Sequence, residues 1–205
     1  MNFTTKWLHG TTWTIKAWTL HGRGALKGLT PLHKALFFTS DRSFAEGSSG
    51  ASGSAFNVYQ SMIKEGSNVL DLSNPGMTCT TEVSENFRKR VVQCRPGKTN
   101  VQAEHPEYWV PGWQTGAIMK YAHREHEAQQ MQAMQYLATY QRDTPEGIVS
   151  FNHIQKLTRD CIEDIVDAAI AAGYQAVAGN ELQSGVTYPL LIVLDPSILT
   201  APVKV

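Results

Sequence analysis

The sequence predicts an α+β protein in which strands from both ends of the chain form a β-sheet and helices pack around it. Residues 5–72 are rich in short apolar runs that end in small polar residues, as strands commonly do. Residues 152–173 follow a helical spacing of apolar positions, and two strand-like segments come after them. Strands followed by a helix and then by more strands indicate the α+β class.

Length and charge narrow the class of protein further. The chain has 205 residues, the size of one ordinary domain, and its 18 basic and 18 acidic residues give a formal net charge of zero. A general nucleic-acid binder carries an excess of positive charge, and this chain has no such excess. No apolar run approaches the roughly 18 residues that span a bilayer, and the amino end lacks the pattern of a secretory signal. We therefore expect a cytoplasmic protein with no membrane contact, in which Cys79, Cys94 and Cys161 are free thiols.

The first two predicted strands end in small polar residues. An apolar pair precedes a predicted turn formed by His9, Gly10 and Thr11, and the apolar run 36–38 leads into a Thr-Ser-Asp sequence. Two neighbouring strands that end in this way can build one concave site between them. Further strands are predicted at residues 56–63 and 68–72.

The Gly- and Ser-rich segment 46–54 has two interpretations. Its composition is typical of a flexible surface loop, and it also suits a mobile flap over a cleft, because small residues let the backbone approach a ligand closely.

The middle of the chain, residues 73–150, has mixed character. Good helix formers dominate residues 116–139, and we expect Pro145 and Gly147 to end that helix. Basic residues near an aromatic stretch could bind nucleic acid, but packing of the aromatic residues into a small core is favoured. His123 and His126 could ligate a metal on the helix, but their spacing differs from the zinc-protease signature. A polar helix face is the better account, so no metal site is predicted.

The last third of the chain contains a helix and then strands. Asn152 and Gln155 form a predicted capping box at the start of this helix, and Gly173 supplies a left-handed residue at its end. The buried face is predicted to include Ile165, Val166, Ala169 and Ile170, together with Leu157, Cys161 and Ile162. The apolar strand 190–194 ends at an Asp-Pro pair.

Five short segments follow one another along the chain. They are Leu8-His9-Gly10-Thr11, then Leu36-Phe37-Phe38-Thr39-Ser40-Asp41 followed by Ser43 and Ala45, then Val69-Leu70-Asp71-Leu72, Gly173-Tyr174-Gln175-Ala176-Val177 and Leu191-Ile192-Val193-Leu194-Asp195-Pro196-Ser197-Ile198. Taken in this order, they resemble the diphtheria-toxin-like, or poly-ADP-ribose-polymerase-like, ADP-ribosyltransferases, and most of all the small versions found in phage and mobile-element polyvalent proteins. The resemblance covers roughly residues 7–72 and 173–199. It implies one domain, residues 1–205, with a split β-sheet core, helices around it, and residues 73–150 as a partly helical insertion or elaboration.

By this resemblance the His-Gly-Thr segment binds NAD, the co-substrate. His9 would hydrogen-bond a ribose hydroxyl, the Gly10 backbone would meet the nicotinamide amide, and Thr11 completes the motif. These residue types suit those roles, because an imidazole nitrogen can donate or accept and glycine offers its backbone without obstruction by a Cβ atom.

The second segment of the resemblance implies an aromatic residue that stacks on the nicotinamide ring. Phe37 or Phe38 stands where the family usually has tyrosine, and Phe37 fits the register better. At least one of the two must point into the core, because successive side chains of a strand face opposite sides. Ser40 or Ser43 would offer the hydroxyl that phenylalanine lacks.

The family's glutamate, which holds the ribose and stabilises the charge that develops on it, falls at Leu190 in this chain. This is a departure from the family pattern. The nearest carboxylate, Glu181, would reach the cleft if the loop that follows it were long; otherwise it is a solvated surface residue. The substitution argues against chain-elongating activity.

The resemblance implies a mono-ADP-ribosyltransferase that transfers ADP-ribose from NAD to a macromolecular acceptor, either a host protein or a nucleic acid if the chain comes from a phage. His9, Phe37 and Glu181 would act in catalysis. Two alternatives remain open: a catalytically silent module that binds NAD or a partner, and an NAD glycohydrolase.

Overall fold

The computed structural model describes residues 2–20, 34–47, 57–71, 133–134, 136–183 and 186–205. These residues form a β-sheet with helices packed against it, so the α+β class is confirmed. The described part of the sheet has seven strands in the order β4-β5-β6-β2-β1-β3-β7, and β4 and β5 form its one parallel pair. The strands are β1 (Trp7–Thr11), β2 (Leu36–Thr39), β3 (Asn57–Ser61), β4 (Val69–Asp71), β5 (Ala176–Gln183), β6 (Val186–Val193) and β7 (Val203–Lys204).

The sheet is weakest at the junction of β1 and β2. Only Leu8 and Thr39 are in register there, whereas β5 and β6 are paired along their whole lengths. On one side of the junction lie β2, β6, β5 and β4, and on the other lie β1, β3 and β7. The sheet therefore nearly divides into two parts at this point.

Strand alternation sends the apolar side chains to two separate cores. One face packs against a long helix, α2 (Pro145–Ala171), and its core includes Val177, Leu190 and Ile192, with Phe37 packed against it. The other face has a core that includes Trp7, Phe38, Leu191, Val193 and Ile198. Phe37 and Phe38 thus face opposite sides of the sheet, as alternation requires.

The strand at the amino end differs from its prediction. His9, Gly10 and Thr11 do not form a turn, because all three lie within β1 and pair with β3. The continuous pairing of β1 with β3 keeps the backbone extended through this polar segment. The other predicted strands of this region are confirmed: β2 ends at Thr39, and β3 and β4 fall within the predicted spans.

The start of α2 also differs from its prediction. Thr144 caps the helix and Pro145 is its first residue, so Asn152 lies inside the helix and forms no cap. The Gly147 backbone N–H donates to the Thr144 hydroxyl at 3.1 Å. Proline is favoured at the first position because the N–H that it lacks would have no helical partner there. Pro145 therefore begins a helix that the sequence was expected to place further on.

The end of α2 agrees with the prediction. Gly173 follows the helix with a φ of +80°, the left-handed conformation that glycine adopts without strain. Ile165, Val166 and Ala169 are buried as expected, but Ile170 is 46% exposed. The side chains at 154–162 lie outside the described residues. Asp195 ends the β6 region by capping a 3-10 helix, Pro196–Ile198.

A short helix, α1 (Arg42–Gly47), follows β2 directly and was not predicted. Asp41 caps it, since the Phe44 backbone N–H donates to the Asp41 carboxylate at 2.8 Å. Gly47 is its last residue, so the predicted loop or flap at 46–54 begins inside this helix, and residues 48–54 lie outside the described residues.

Most predictions for the middle of the chain fall on residues that the structure does not describe. These include the basic and aromatic segments, His123, His126, Cys79 and Cys94, and most of the predicted helix 116–139; residues 136–140 are helical. Within the described ranges, no helix has the length and apolar character needed to cross a membrane. The same ranges hold no cluster of three or more side chains suited to a metal ion.

Candidate functional site

A cavity of about 280 Å³ lies between α1 and the sheet, beside the β1–β2 junction. This volume is at the small end for ligand pockets, which usually enclose roughly 300–1,000 Å³. Most of its lining is apolar, and Glu181 is the one ionisable side chain among the described residues that line it. The lining residues are Leu8, Gly10, Phe37, Phe38, Thr39, Phe44, Gly47, Glu181 and Leu190.

Gly10 allows α1 to pack directly on β1. A Cβ atom at Gly10 would lie 1.8 Å from the Ala45 carbonyl oxygen, a distance that no side chain can occupy. The Ala45 side chain is buried at the same contact, in a small cluster with Leu8 and Val58. The absence of a side chain at Gly10 therefore sets the position of the helix that forms one wall of the cavity.

Aromatic rings form much of the cavity wall. The half-buried Phe37 lines it from β2 and packs against the core beneath α2. Phe44 lines it from α1 and stacks on Tyr188 of β6, with the ring centroids 4.4 Å apart and the planes inclined by 13°. Stacked and offset rings of this kind contribute about 0.5–1.5 kcal/mol beyond the area that they bury. The Phe44–Tyr188 pair therefore ties α1 to the sheet at the side of the cavity.

Glu181 supplies a carboxyl group to this apolar environment. It lies within β5 opposite Tyr188, and so reaches the cavity from a strand rather than from a long loop. Burial raises the pKa of the Glu181 carboxyl above its ordinary value. The cause is desolvation, which penalises the ionised form of a carboxyl group. A cation in the cavity would restore favourable interactions to that ionised form.

Leu190 and Glu181 line the same cavity from neighbouring strands. Leu190 is buried on β6, where it lies between Gly179 of β5 and Thr39 of β2. The position at which the resemblance expects a glutamate is thus an apolar wall. The carboxyl group comes instead from the adjacent strand, two residues further along β5 than the direct partner of Leu190.

His9 lies at the same junction, but its side chain does not line the cavity. The imidazole Nδ1 is 2.7 Å from the Phe37 carbonyl oxygen, a distance at which Nδ1–H donates to that oxygen. The ring lies 5.4 Å from the Phe38 ring and 5.7 Å from the Trp18 ring, measured between centroids. Because Phe38 belongs to the core on the face away from α2, His9 lies on that face too. The structure thus brings His9 next to the two phenylalanines, but separates its imidazole from the cavity.

The remaining hydroxyl candidates lie away from the cavity lining. Thr11 is buried, and its hydroxyl accepts a hydrogen bond from the Trp13 backbone N–H at 3.2 Å. Ser40 and Ser43 are exposed, and neither lines the cavity. The Ser43 hydroxyl donates to the Asp41 carboxylate at 2.7 Å, and this bond is the main reason that the pKa of Asp41 is lowered.

Sequence reasoning missed Thr39 and Phe44 of the cavity wall, and also Tyr188, which packs against that wall from outside. Thr39 lines it in the place expected for Ser40 or Ser43, and its hydroxyl accepts from the Asp41 backbone N–H at 3.1 Å. Phe44 and its stacking partner Tyr188 were also missed. The signal for Phe44 was present, because an aspartate three residues before it is typical of a helix N-cap and predicts a helix at that point.

Fold and site together define an α+β protein with a small, aromatic-walled cavity that one half-buried glutamate lines. Comparisons of the chain with protein-family models, with curated proteins and with solved structures find no match.

Proposed function

We propose that this protein is an NAD-dependent mono-ADP-ribosyltransferase whose cavity receives the nicotinamide end of NAD. The observation that carries the proposal is the half-buried Glu181, whose carboxyl group is desolvated and which lines one cavity with Phe37, Phe44 and Leu190 beside the β1–β2 junction. The near division of the sheet at that junction agrees with the split sheet that the sequence motifs imply. NAD is the co-substrate, and the acceptor is a host protein or a nucleic acid in the cytoplasm.

The chemistry of the cavity suits a planar cation. The nicotinamide ring of NAD carries a positive charge, and the faces of aromatic rings attract cations by about 0.5–2 kcal/mol. A carboxylate at the same place adds a direct charge interaction, which is strong where water is excluded. Phe37 and Phe44 would hold the ring, and Glu181 would lie near the bond that breaks.

Glu181 has a defined role in the transfer step. NAD supplies a glycosidic bond whose electron pair leaves with neutral nicotinamide, and the acceptor's lone pair then forms the new bond to the ribose carbon as the acceptor loses a proton. The ionised Glu181 carboxylate stabilises the positive charge that develops on the ribose. A preorganised charge in a water-excluded site is worth far more to the transition state than it would be in water. The cation also favours ionisation of Glu181, against the effect of burial.

Leu190 limits the reaction to a single transfer. The resemblance implies a glutamate at this position, and its loss argues against chain-elongating activity. In this chain the position is a buried leucine, and Glu181 approaches from the next strand. Leu190 also favours a second candidate, a catalytically silent module of the same fold that binds NAD or a partner. An NAD glycohydrolase, in which water replaces the acceptor, is the third outcome of the same test.

The test uses NAD labelled in its adenylate phosphate, incubated with the protein and a cell lysate. The proposed transferase moves label into macromolecules and releases nicotinamide. Free labelled ADP-ribose instead identifies a glycohydrolase, and label that stays in NAD while NAD still binds identifies a silent module. Absence of both binding and turnover contradicts the proposal.

Glu181→Gln is the variant that tests the role of the carboxylate. We expect it to lower transfer at least about 10²-fold, as loss of one preorganised stabilising group does elsewhere. Glu65→Gln is the matched control, because Glu65 is exposed and does not line the cavity, and we expect it to retain full activity. Equal activities of the two variants would remove Glu181 from the reaction.

A further inference from the structure

We infer that His9 is a positioning residue that holds the backbone of Phe37, and that it does not bind the ribose directly. This inference rests on the proposed function, because Phe37 is one of the walls that would hold the nicotinamide ring. It assigns His9 a role different from the one that the sequence motif implies. The role follows from the hydrogen bond, the packing and the strand register around the imidazole.

A hydrogen bond joins the His9 side chain to the Phe37 backbone. Leu8 and Thr39 are the single registered pair of β1 and β2, and continued pairing would place Gly10 opposite Phe37. The ladder stops before that point, and the His9 side chain donates to the Phe37 carbonyl oxygen at 2.7 Å. A side-chain donor thus holds the Phe37 carbonyl at the point where the pairing of β1 and β2 ends.

Two aromatic rings restrict the orientation of the His9 imidazole. Its ring packs edge-on against Trp18, at 86° between the ring planes, and contacts Phe38 as well. Trp18 is itself fixed, since its indole N–H lies within hydrogen-bonding distance of the Ser61 hydroxyl, at 3.2 Å, and of the Thr200 carbonyl oxygen, at 3.1 Å. The surrounding rings therefore hold the imidazole in one orientation, with Nδ1 directed at Phe37.

This contact reaches the cavity through the Phe37 backbone. The Phe37 carbonyl belongs to the planar peptide unit that follows the Phe37 Cα atom, and ψ is the one torsion between that plane and the Cα–Cβ bond. Holding the carbonyl therefore restricts ψ, and with it the side of the strand from which the Phe37 side chain leaves the backbone. His9 acts on the site from the opposite face of the sheet, through the backbone of its neighbour.

The experiment compares two probes, nicotinamide and NAD, because nicotinamide has no ribose. Binding of each is measured by calorimetry to the wild type, His9→Ala and His9→Asn. Asparagine places an amide N–H donor the same number of bonds from the backbone as the Nδ1 of histidine. If His9 positions Phe37, His9→Ala lowers the affinity for both probes by the same factor, about threefold to tenfold for one hydrogen bond. His9→Asn is expected to restore both affinities to within about twofold of the wild type.

Two results would overturn the inference. If His9→Ala weakens the binding of NAD but leaves the binding of nicotinamide unchanged, His9 contacts the ribose directly. If asparagine binds both probes as weakly as alanine while its thermal unfolding matches the wild type, the donor to Phe37 is not what matters. Thr12→Ala serves as the control for substitution in this segment, because Thr12 is exposed and does not line the cavity.

A separate measurement keeps this inference apart from the proposed function. If the wild type binds neither probe, the proposed function fails. The hydrogen bond from His9 to Phe37 is then detected by NMR, from the carbon-13 chemical shift of the Phe37 carbonyl. Alanine at position 9 is expected to move that shift, and asparagine to return it toward the wild-type value. An unchanged shift in the alanine variant would overturn the positioning role.

Discussion

The two faces of the sheet at the β1–β2 junction are built from alternating residues of the same two strands, yet they differ in chemistry. On one face Gly10 and Phe37 border a cavity that the half-buried Glu181 also lines. On the other face His9 and Phe38 are packed among aromatic rings, in a core that includes Trp7 and Leu191. The first face contains a cavity, whereas the second face is closely packed. One-residue alternation thus separates a binding surface from the core that supports it.

Phe38 and Phe37 provide the strongest test of this difference. Phe38 is 2% exposed, so Phe38→Ala is expected to lower the free energy of unfolding by about 3–5 kcal/mol. Phe37→Ala is expected to cost less stability, roughly 1–2 kcal/mol, because that ring is only partly buried. Phe37→Ala should instead weaken nicotinamide binding. Urea denaturation and calorimetry measure both effects, and equal losses of stability would show that the two faces do not differ as described.

Gly10 and Gly47 provide the second test, of the space on the cavity face. Gly10→Ala places a Cβ atom against the Ala45 carbonyl, so α1 must shift, and we expect a loss of roughly 1–3 kcal/mol. The shift also displaces Phe44, which weakens nicotinamide binding. Gly47→Ala is the matched control, because nothing lies within 4 Å of its added Cβ. We expect it to be neutral or to stabilise α1 by up to about 1 kcal/mol. A Gly10→Ala protein as stable as the control would contradict the close packing of α1 on β1.

The pH dependence of stability gives the smallest expected effect. The pKa of Glu181 is raised by burial, so the folded state holds its proton to higher pH than the unfolded state does. The contribution of this group is fully present below its ordinary pKa of 4.5 and is lost as the pH rises through the folded value. Glu181→Gln should therefore be more stable than the wild type at neutral pH, and the difference should shrink as the pH falls through the raised folded pKa toward 4.5, below which it stays small. Thermal melts from neutral pH down to about pH 4 measure this difference. A difference that does not change with pH would contradict a desolvated carboxyl group at this position.

Local sequence signals predicted the strands better than they predicted the helix boundaries. Apolar runs bounded by turn residues identified β2, β3 and β4. The sequence was expected to end a helix at Pro145, but proline is also favoured as the first residue of a helix. The Thr144 cap shows that Pro145 begins α2. The six-residue α1 was missed because so short a helix has little stability of its own. It depends on its Asp41 cap and on contact with Gly10.

The candidate site was predicted in composition but not in arrangement. The ordered motifs singled out Gly10 and Phe37, and Glu181 was the carboxylate nearest to the departure at Leu190. The structure brings these three residues to one cavity. The same motifs grouped His9 and Ser43 with them, yet His9 lies on the other face and Ser43 is engaged with Asp41. A motif records which residues are near in sequence. It does not record on which side of a strand each side chain emerges.

Residue types and local spacing were enough to determine the α+β class, most strand positions and the chemical groups available for a site, because these depend on neighbours along the chain. The pairing of strands decided the rest. It placed Glu181 beside Leu190, although the carboxylate is absent from the position where the motif expects it. It also left a single registered pair between β1 and β2, and next to that pair the His9 side chain donates to the Phe37 carbonyl oxygen. Such contacts join residues far apart in sequence, and the register that creates them is set only when the whole sheet packs against its two cores.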